Sequence, residues 1–178
     1  MDNIEQLIGL GEKVSLSWMP FCRLVLDDER FRNGIASAAH HPGPHQEPGG
    51  LVLHTLEVAK AAVELSGENS LLASLAYVSS VFHDYGKIHE YEYKDGQAIK
   101  LPFSKKIGHV VWSWKFFLDA AQADSRREDI EEIGHALLAH HGRREWGSPV
   151  EPNSWLAYIL HTADMLSSRG IFEFKETK

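Results

Sequence analysis

Histidine is the residue type in this sequence whose number and spacing could support chemistry. The 178 residues include 11 histidines, against 18 lysines and arginines together. Histidine is the commonest metal ligand among side chains and the usual carrier of protons near neutral pH. The alternative is a scatter of surface and cap histidines, so their positions on the predicted elements decide between the two interpretations.

Polar groups are predicted to be buried on four separate helices that are otherwise apolar, at His54, His83, Asp84, either His140 or His141, His161 and Asp164. Each has a structural explanation by itself: a core imidazole bonded to a carbonyl, a solvated carboxylate, or a mutual bond between His161 and Asp164. A divalent metal site would explain all of them together, because it compensates for burying such groups. Two ions about 3.5–4 Å apart, bridged by a carboxylate, would use about six side chains.

The elements that would position these residues are predicted to be helical along almost the whole chain. Apolar residues recur at spacings of three and four in segments 17–31, 50–66, 70–85, 105–122, 126–141 and 153–169. Segment 89–103 is the exception, because alternating Tyr and Glu residues and an Asp95-Gly96 turn predict a short β-hairpin there. The sequence therefore predicts an all-α bundle with one small hairpin.

Composition and charge exclude several classes of protein. Apolar residues make up 43% of the chain and charged residues 24%, which predicts a packed core, and the length predicts one domain. The net charge of −7 argues against extensive binding to duplex nucleic acid.

Uninterrupted apolar stretches stay well short of about 18 residues, so no membrane-spanning helix is expected. The N-terminus carries Asp2 and lacks a basic region, which predicts a cytoplasmic protein, and Cys22 is expected to be a buried thiol.

Five motifs occur in order: GGLVLHTLEVA (49–59), FHDYGK (82–87), GHV (108–110), AHHGRREWGSP (139–149) and LHTADML (160–166). Together they resemble the HD-domain metal-dependent phosphohydrolases, and in particular the HD region of bacterial 3′-to-5′ exoribonucleases. Those proteins also have a His-His pair before the first motif, as His40-His41 stands here. The resemblance covers about residues 30–169 and implies an all-α HD-domain bundle, with residues 1–178 forming a single HD domain.

The resemblance implies two metal sites that share one carboxylate. The first would use His54, His83, Asp84 and Asp164, and the second would use Asp84 as the bridge with His109 and His140. His141, the alternative to His140, would then orient the substrate or hydrogen-bond the bridging solvent. Such ligands suit Mn²⁺, Fe²⁺, Co²⁺, Ni²⁺ or Zn²⁺, with two ions expected per chain.

The resemblance also implies roles for residues beyond the ligands. Lys87 matches the family's lysine that faces the scissile phosphate, and the alternative is an ordinary surface lysine at a helix end. Arg143 and Arg144 could hold further phosphate oxygens, or could belong to a solvated helix end. A Pro/Gly-rich loop before the first ligand carries histidines that either line the pocket or are plain polar residues, at His40, His41 and His45.

The implied function is a phosphodiesterase or nucleotidase, with Asp84 and Lys87 as catalytic residues and a metal-bridging hydroxide as the nucleophile. The exoribonucleases carry an OB-fold before the HD region, and this sequence is expected to lack one. The expected substrate is therefore a phosphorylated small molecule such as a nucleotide, a short single-stranded oligonucleotide, or a substrate delivered by a partner. Two alternatives stay open. One is an HD-fold di-iron oxygenase with the same six-ligand pattern, and the other is a catalytically silent HD scaffold, against which the presence of all six candidate ligands speaks.

Overall fold

The structure, a computed structural model, describes residues 2–37 and 43–171 of the chain. The described part contains eight α-helices: α1 Asn3–Val14, α2 Met19–Leu26, α3 Glu29–Arg32, α4 Gly50–Leu65, α5 Ser70–Phe82, α6 His109–Ala121, α7 Arg127–Ala139 and α8 Trp155–Ser168. Two strands, β1 Tyr91–Lys94 and β2 Gln97–Lys100, form one antiparallel sheet. The predicted all-α class with a single small hairpin is confirmed.

Helix α1 is an element that the sequence interpretation did not include. Its N-cap Asp2 accepts a hydrogen bond from the backbone N–H of Glu5 at 2.8 Å, and Glu5 accepts one from the Asp2 backbone N–H at 3.1 Å. This reciprocal pair is a capping box, which satisfies two of the unpaired donors at a helix start. The helix packs on α4 and α5, and the Tyr77 hydroxyl donates to the Leu7 carbonyl at 2.9 Å.

The predicted helix over 17–31 is wrong as a single element. A 3₁₀ turn at Leu16–Trp18 leads into α2, and α2 ends before the short helix α3 begins. The helix is interrupted at Asp28, which is the N-cap of α3. Its backbone is extended, and its carboxylate accepts a hydrogen bond from the Arg30 N–H at 2.8 Å. The same carboxylate accepts from the Tyr85 hydroxyl at 2.6 Å, which joins this corner to the segment after α5.

Helices α4, α5, α7 and α8 form the centre of the bundle. Helix α4 packs against both α5 and α8, and α7 packs against the same two helices. Their apolar side chains are buried, among them Leu51, Phe82, Leu137 and Leu160, and each contributes about 1.5–3 kcal/mol of hydrophobic stabilisation. Cys22 is a buried thiol as predicted, and burial raises its pKa to about 12. Within the described residues, no helix has both the length and the apolar character needed to cross a membrane.

The hairpin connects the segment after α5 to the start of α6. Tyr91 pairs with Lys100 and Lys94 pairs with Gln97, so the two-residue turn is Asp95-Gly96, as predicted. Both turn residues have positive φ angles, 53° and 78°, which is the geometry of a tight hairpin turn. Helix α6 starts only at His109, four residues later than position 105, because Pro102–Lys105 forms a 3₁₀ turn instead.

Candidate metal centre

The six predicted ligands come from five helices that meet in the bundle. His54 lies within α4 and Asp164 within α8, whereas His109 is the first residue of α6. The remaining three stand just past the ends of helices: His83 and Asp84 after α5, and His140 after α7. His54, His83 and His140 are fully buried, and Asp84 is only 2% exposed.

The carboxylate of Asp84 lies at the centre of this group. Its Oδ2 is 3.2 Å from the Nε2 of His54 and 3.4 Å from the Nε2 of His83. Its Oδ1 is 3.4 Å from the Nε2 of His109 and 3.7 Å from the Nε2 of His140. One carboxylate therefore presents each of its two oxygens to a different pair of imidazoles, which is the arrangement a bridging ligand needs.

Asp164 adds a second carboxylate to only one of the two pairs. Its Oδ1 lies 3.2 Å from the Nε2 of His54 and 4.0 Å from the Nε2 of His83. The alternative interpretation, in which Asp164 bonds to His161, does not describe the structure. His161 instead donates from Nδ1 to the carbonyl of His140 at 2.7 Å.

The hydrogen bonds behind three of the histidines determine which ring nitrogen faces the centre. The Nδ1 of His83 is 2.7 Å from the carbonyl of Ser80, and the Nδ1 of His140 is 2.7 Å from that of Leu137. A carbonyl oxygen only accepts, so Nδ1 carries a proton, and Nε2 is the nitrogen that can offer a lone pair to a metal. The Nδ1 of His109 is held in the same way by the carboxylate of Glu90, at 3.0 Å.

His54 reaches the same tautomer through a hydroxyl relay. The Ser167 hydroxyl donates to the Glu57 carboxylate at 2.6 Å, so its oxygen accepts from the Nδ1 of His54 at 2.8 Å. The carboxylate of Glu57 is also 3.1 Å from the Nε2 of His45. Such outer partners orient metal-binding histidines and raise their basicity. Sequence reasoning missed Glu57 and Ser167, although each stands three residues after a predicted ligand.

The donor atoms fit divalent transition metals. The Nε2 of His140 is buried without a hydrogen-bond partner among the described residues, since 3.7 Å to Asp84 exceeds hydrogen-bond length. A buried acceptor without a partner costs free energy unless something binds it, and a cation would do so. Two groups of three side chains have all their donor atoms within 4.8 Å of one another: His54, His83 and Asp84, and His109, His140 and His141.

Comparison with known proteins identifies the family of this chain. The family model described as HD domain matches residues 51–169, about two thirds of the chain. The chain belongs to the HD domain family. No solved structure gives a match to it.

Similar curated proteins carry the name 3'-5' exoribonuclease YhaM. The protein from Geobacillus sp. (strain WCH70) is 32% identical over 173 residues, which are 95% of this chain and 52% of the relative. The relative from Listeria monocytogenes serotype 4b (strain CLIP80459) is 30% identical over 94% of this chain and 53% of its own. The one from Bacillus subtilis (strain 168) is 29% identical, over 95% and 53% respectively. The chain thus spans about half the length of the curated relatives it matches.

Lys87 of this HD domain is a buried lysine, so its interpretation as an ordinary surface residue is wrong. Only 6% of it is exposed, and its Nζ lies 2.5 Å from the Oδ2 of Asp84. Burial lowers the pKa of Lys87, but the Asp84 carboxylate outweighs burial and keeps the pKa above its usual value. Burial alone would raise the pKa of Asp84, yet Lys87 and His83 hold it well below its usual range.

Two of the histidines in the HD domain have pKa shifts of opposite sign. Burial lowers the pKa of His54, but its hydrogen bonds to Asp164 and Asp84 outweigh that effect and raise it. Burial, with repulsion from His141 and His83, holds the pKa of His140 well below its usual value. His140 is therefore a neutral imidazole near pH 7, the form that binds a metal.

The remaining predicted substrate contacts lie at the edge of the centre or beyond it. The Nε2 of His141 is 3.1 Å from that of His109. Burial, and to a smaller extent repulsion from His109, lowers the pKa of His141 to about 4. Arg143 and Arg144 follow on an exposed turn. His40 and His41 lie outside the described residues, whereas His45 is buried against Glu57.

Replacing Glu90 with glutamine is expected to weaken metal binding at the predicted second site while leaving the first unchanged. Glu90 is buried and accepts from both the backbone N–H of His109, at 2.7 Å, and its Nδ1. The two bonds use different carboxylate oxygens, and a glutamine replaces one of these acceptors with an NH₂ donor. The ring therefore loses its orientation, and metal affinity should fall about 10–100-fold. Calorimetric titration with Mn²⁺ measures the effect, with Glu92→Gln on the exposed hairpin as the control. Equal weakening of both sites would contradict separate sites.

Proposed function

We propose that this HD domain is a metal-dependent phosphohydrolase that cleaves phosphodiester bonds of single-stranded nucleic acid. The observation that carries the proposal is the Asp84 carboxylate, whose two oxygens face two different pairs of imidazole nitrogens. Membership of the HD domain family and the similarity to proteins named 3'-5' exoribonuclease support it.

In this proposal the centre holds two divalent ions. His54, His83, Asp84 and Asp164 would hold the first, and Asp84, His109 and His140 would hold the second. When bound, such ions supply an activated water nucleophile and neutralise charge on the phosphoryl oxygens. We keep His140 as the ligand in preference to His141, because the bond from its Nδ1 to the Leu137 carbonyl already orients its free Nε2.

The chain's own residues then bind and orient the phosphate. Lys87 supplies a buried positive charge beside Asp84, where it can stabilise negative charge that develops on a phosphoryl oxygen. His141 is neutral near pH 7 and stands next to His109, so it can donate or accept a hydrogen bond at the reacting group. Arg144 can bind a further phosphate of the strand from the exposed turn.

Because the chain has a net negative charge, the phosphate must be recognised by individual side chains at the site. With a net charge of −7, the protein does not attract a polyanion by its overall field. A short single strand, which needs few phosphate contacts, therefore suits this site better than a long duplex. The names of the relatives suggest a reaction in which nucleotides are removed one at a time from a free 3′ end.

The test is hydrolysis by protein purified without chelator, with its metal content measured first. A 5′-labelled RNA oligonucleotide with a free 3′ end is expected to shorten stepwise from that end. EDTA should abolish the reaction and Mn²⁺ should restore it. A nucleoside monophosphate, which offers only a monoester, is the comparison for nucleotidase activity. Turnover that requires oxygen would support the di-iron oxygenase instead, and a metal-free protein without activity would support the scaffold.

A further inference from the structure

A cavity of about 390 Å³ opens between the turn after α7 and the first half of α8. It is lined by Gly142, Arg143, Trp146, Glu151, Tyr158 and His161. Its volume is in the range of sites that bind small molecules. The ligands proposed above do not line it, so it is a separate feature of the surface.

The cavity shares a wall with the candidate metal centre. His161 lines the cavity and donates from Nδ1 to the carbonyl of His140 at 2.7 Å. Gly142 follows His141 directly, and a Cβ on Gly142 would lie 2.5 Å from the His161 ring. With its positive φ of 82°, this position accepts only glycine without strain, which brings the turn against α8. A ligand in the cavity is therefore a neighbour of whatever binds at the centre.

Two large aromatic side chains in the cavity are uncovered. Trp146 is 52% exposed and Tyr158 is 55% exposed. The indole of Trp146 is stacked on the His161 ring, with 29° between the planes and 6.1 Å between the centroids. The guanidinium of Arg143 lies 5.3 Å from the Trp146 centroid. Exposed aromatic rings next to arginine are the platforms on which unpaired bases stack in proteins that bind single strands.

The charges in the cavity indicate which part of a nucleic acid it would hold. Arg143 and Glu151 both line it, so one positive and one negative side chain cancel. A phosphate would be repelled by Glu151, whereas a neutral base gains from both groups, because Arg143 can donate to its ring acceptors and Glu151 can accept from its amino group. We infer that this cavity binds an unpaired nucleobase of the substrate strand, next to the phosphate at the metal centre. The inference rests on the proposed function, because it concerns the same substrate.

Binding of matched oligonucleotides tests the inference. The probes are a fluorescein-labelled hexa-adenylate with a phosphorothioate backbone, which resists hydrolysis, and an abasic hexamer with the same backbone and charge. The wild-type protein with Mn²⁺ is expected to bind hexa-adenylate more tightly than the abasic hexamer, as measured by fluorescence anisotropy. Trp146→Ala and Tyr158→Ala should each raise the Kd for hexa-adenylate about tenfold, and should leave that for the abasic hexamer unchanged. Trp146→Phe should recover part of the loss.

Trp155→Ala is the matched control. This tryptophan stands on the same helix as Tyr158 and is 81% exposed, but it does not line the cavity. Its removal is expected to leave both Kd values unchanged. All three aromatic residues are substantially exposed, so none of these variants should impair folding.

Three outcomes would overturn the inference: equal binding of the two hexamers, unchanged binding by both cavity variants, or no binding by the wild type, which would leave the aromatic patch to a protein partner. The proposed function fails separately. If binding depends on the base and on Trp146 but the protein hydrolyses no phosphoester, the base-binding inference holds and the proposed function is wrong. If the protein hydrolyses the strand but binding does not depend on the base, the proposed function holds and the inference is wrong.

Discussion

Replacement of Asp84 by alanine is expected to remove both metal ions at once and to abolish hydrolysis. Asp84 is the side chain that approaches all four candidate histidine ligands, through Oδ2 on one side and Oδ1 on the other. Losing the charge stabilisation of the ions should lower kcat/KM by more than about 10³-fold. Elemental analysis of the purified variant and an assay on the wild-type substrate measure the two effects.

The same change should also destabilise the protein, which calls for a control. Without Asp84 the ammonium of Lys87 would be buried with its nearest partner removed, at a cost of about 3–5 kcal/mol. Asp84→Asn keeps the volume of the side chain, and a circular dichroism melt shows whether each variant is folded. Asp119→Ala changes an exposed aspartate on α6 and should retain both metals and activity. A folded Asp84 variant that keeps one ion at His54 and His83 would reject the bridging role.

Removal of the Lys87 charge is expected to impair turnover while both metals stay bound. The ammonium is held beside Asp84 without being a possible metal ligand, so its effect should fall on the transition state. Lys87→Met, which preserves most of the apolar stem, should reduce kcat by about 10²–10³-fold. Lys87→Arg should rescue little, because a planar guanidinium does not reproduce a compact ammonium in a buried position.

The measurements for Lys87 must separate catalysis from positioning, because its contact with Asp84 could serve either role. Metal content, kcat and KM are measured together, with Lys115→Met on the exposed surface of α6 as the matched control. Turnover like the wild type, with both metals present, would mean that Lys87 takes no part in the reaction. Loss of a metal together with activity would mean that Lys87 acts by orienting Asp84.

Much of the fold could be predicted from local patterns, and the errors have local causes. The hairpin was predictable because Asp95-Gly96 supplies the two positive φ angles of its turn. The break before α3 was hidden by the apolar spacing in segment 17–31, which continues across Asp28 although its side chain caps a new helix. Helix α1 has a clear capping signal at Asp2 and Glu5, so its omission reflects a missed pattern in the sequence.

The candidate site shows a different limit. Burial arguments indicated His54, His83, Asp84, Asp164 and one of His140 and His141, because each of these polar groups interrupts an apolar segment. The family resemblance supplied His109 and the preference for His140. The outer partners were not found, because their role depends on contacts between elements distant in sequence. Glu57 lies on the polar face of α4, yet in the bundle it accepts from Ser167, which is 110 residues away. Periodicity along one helix carries no information about which neighbour covers that face.

The wide separation of these groups along the chain has a consequence for the order of assembly. His54 on α4 and its partner Ser167 on α8 are 113 residues apart. Asp164 shares α8 with Ser167, and the other candidate ligands stand on α6 or just after α5 and α7. An incompletely folded chain therefore offers an ion only part of the site, and metal binding stabilises only the fully folded bundle. At a free metal concentration 100 times Kd, each ion would add about 2.7 kcal/mol to the free energy of unfolding. Local opening of α8 would withdraw Asp164 and Ser167 together, so we expect metal release to begin with the opening of this helix.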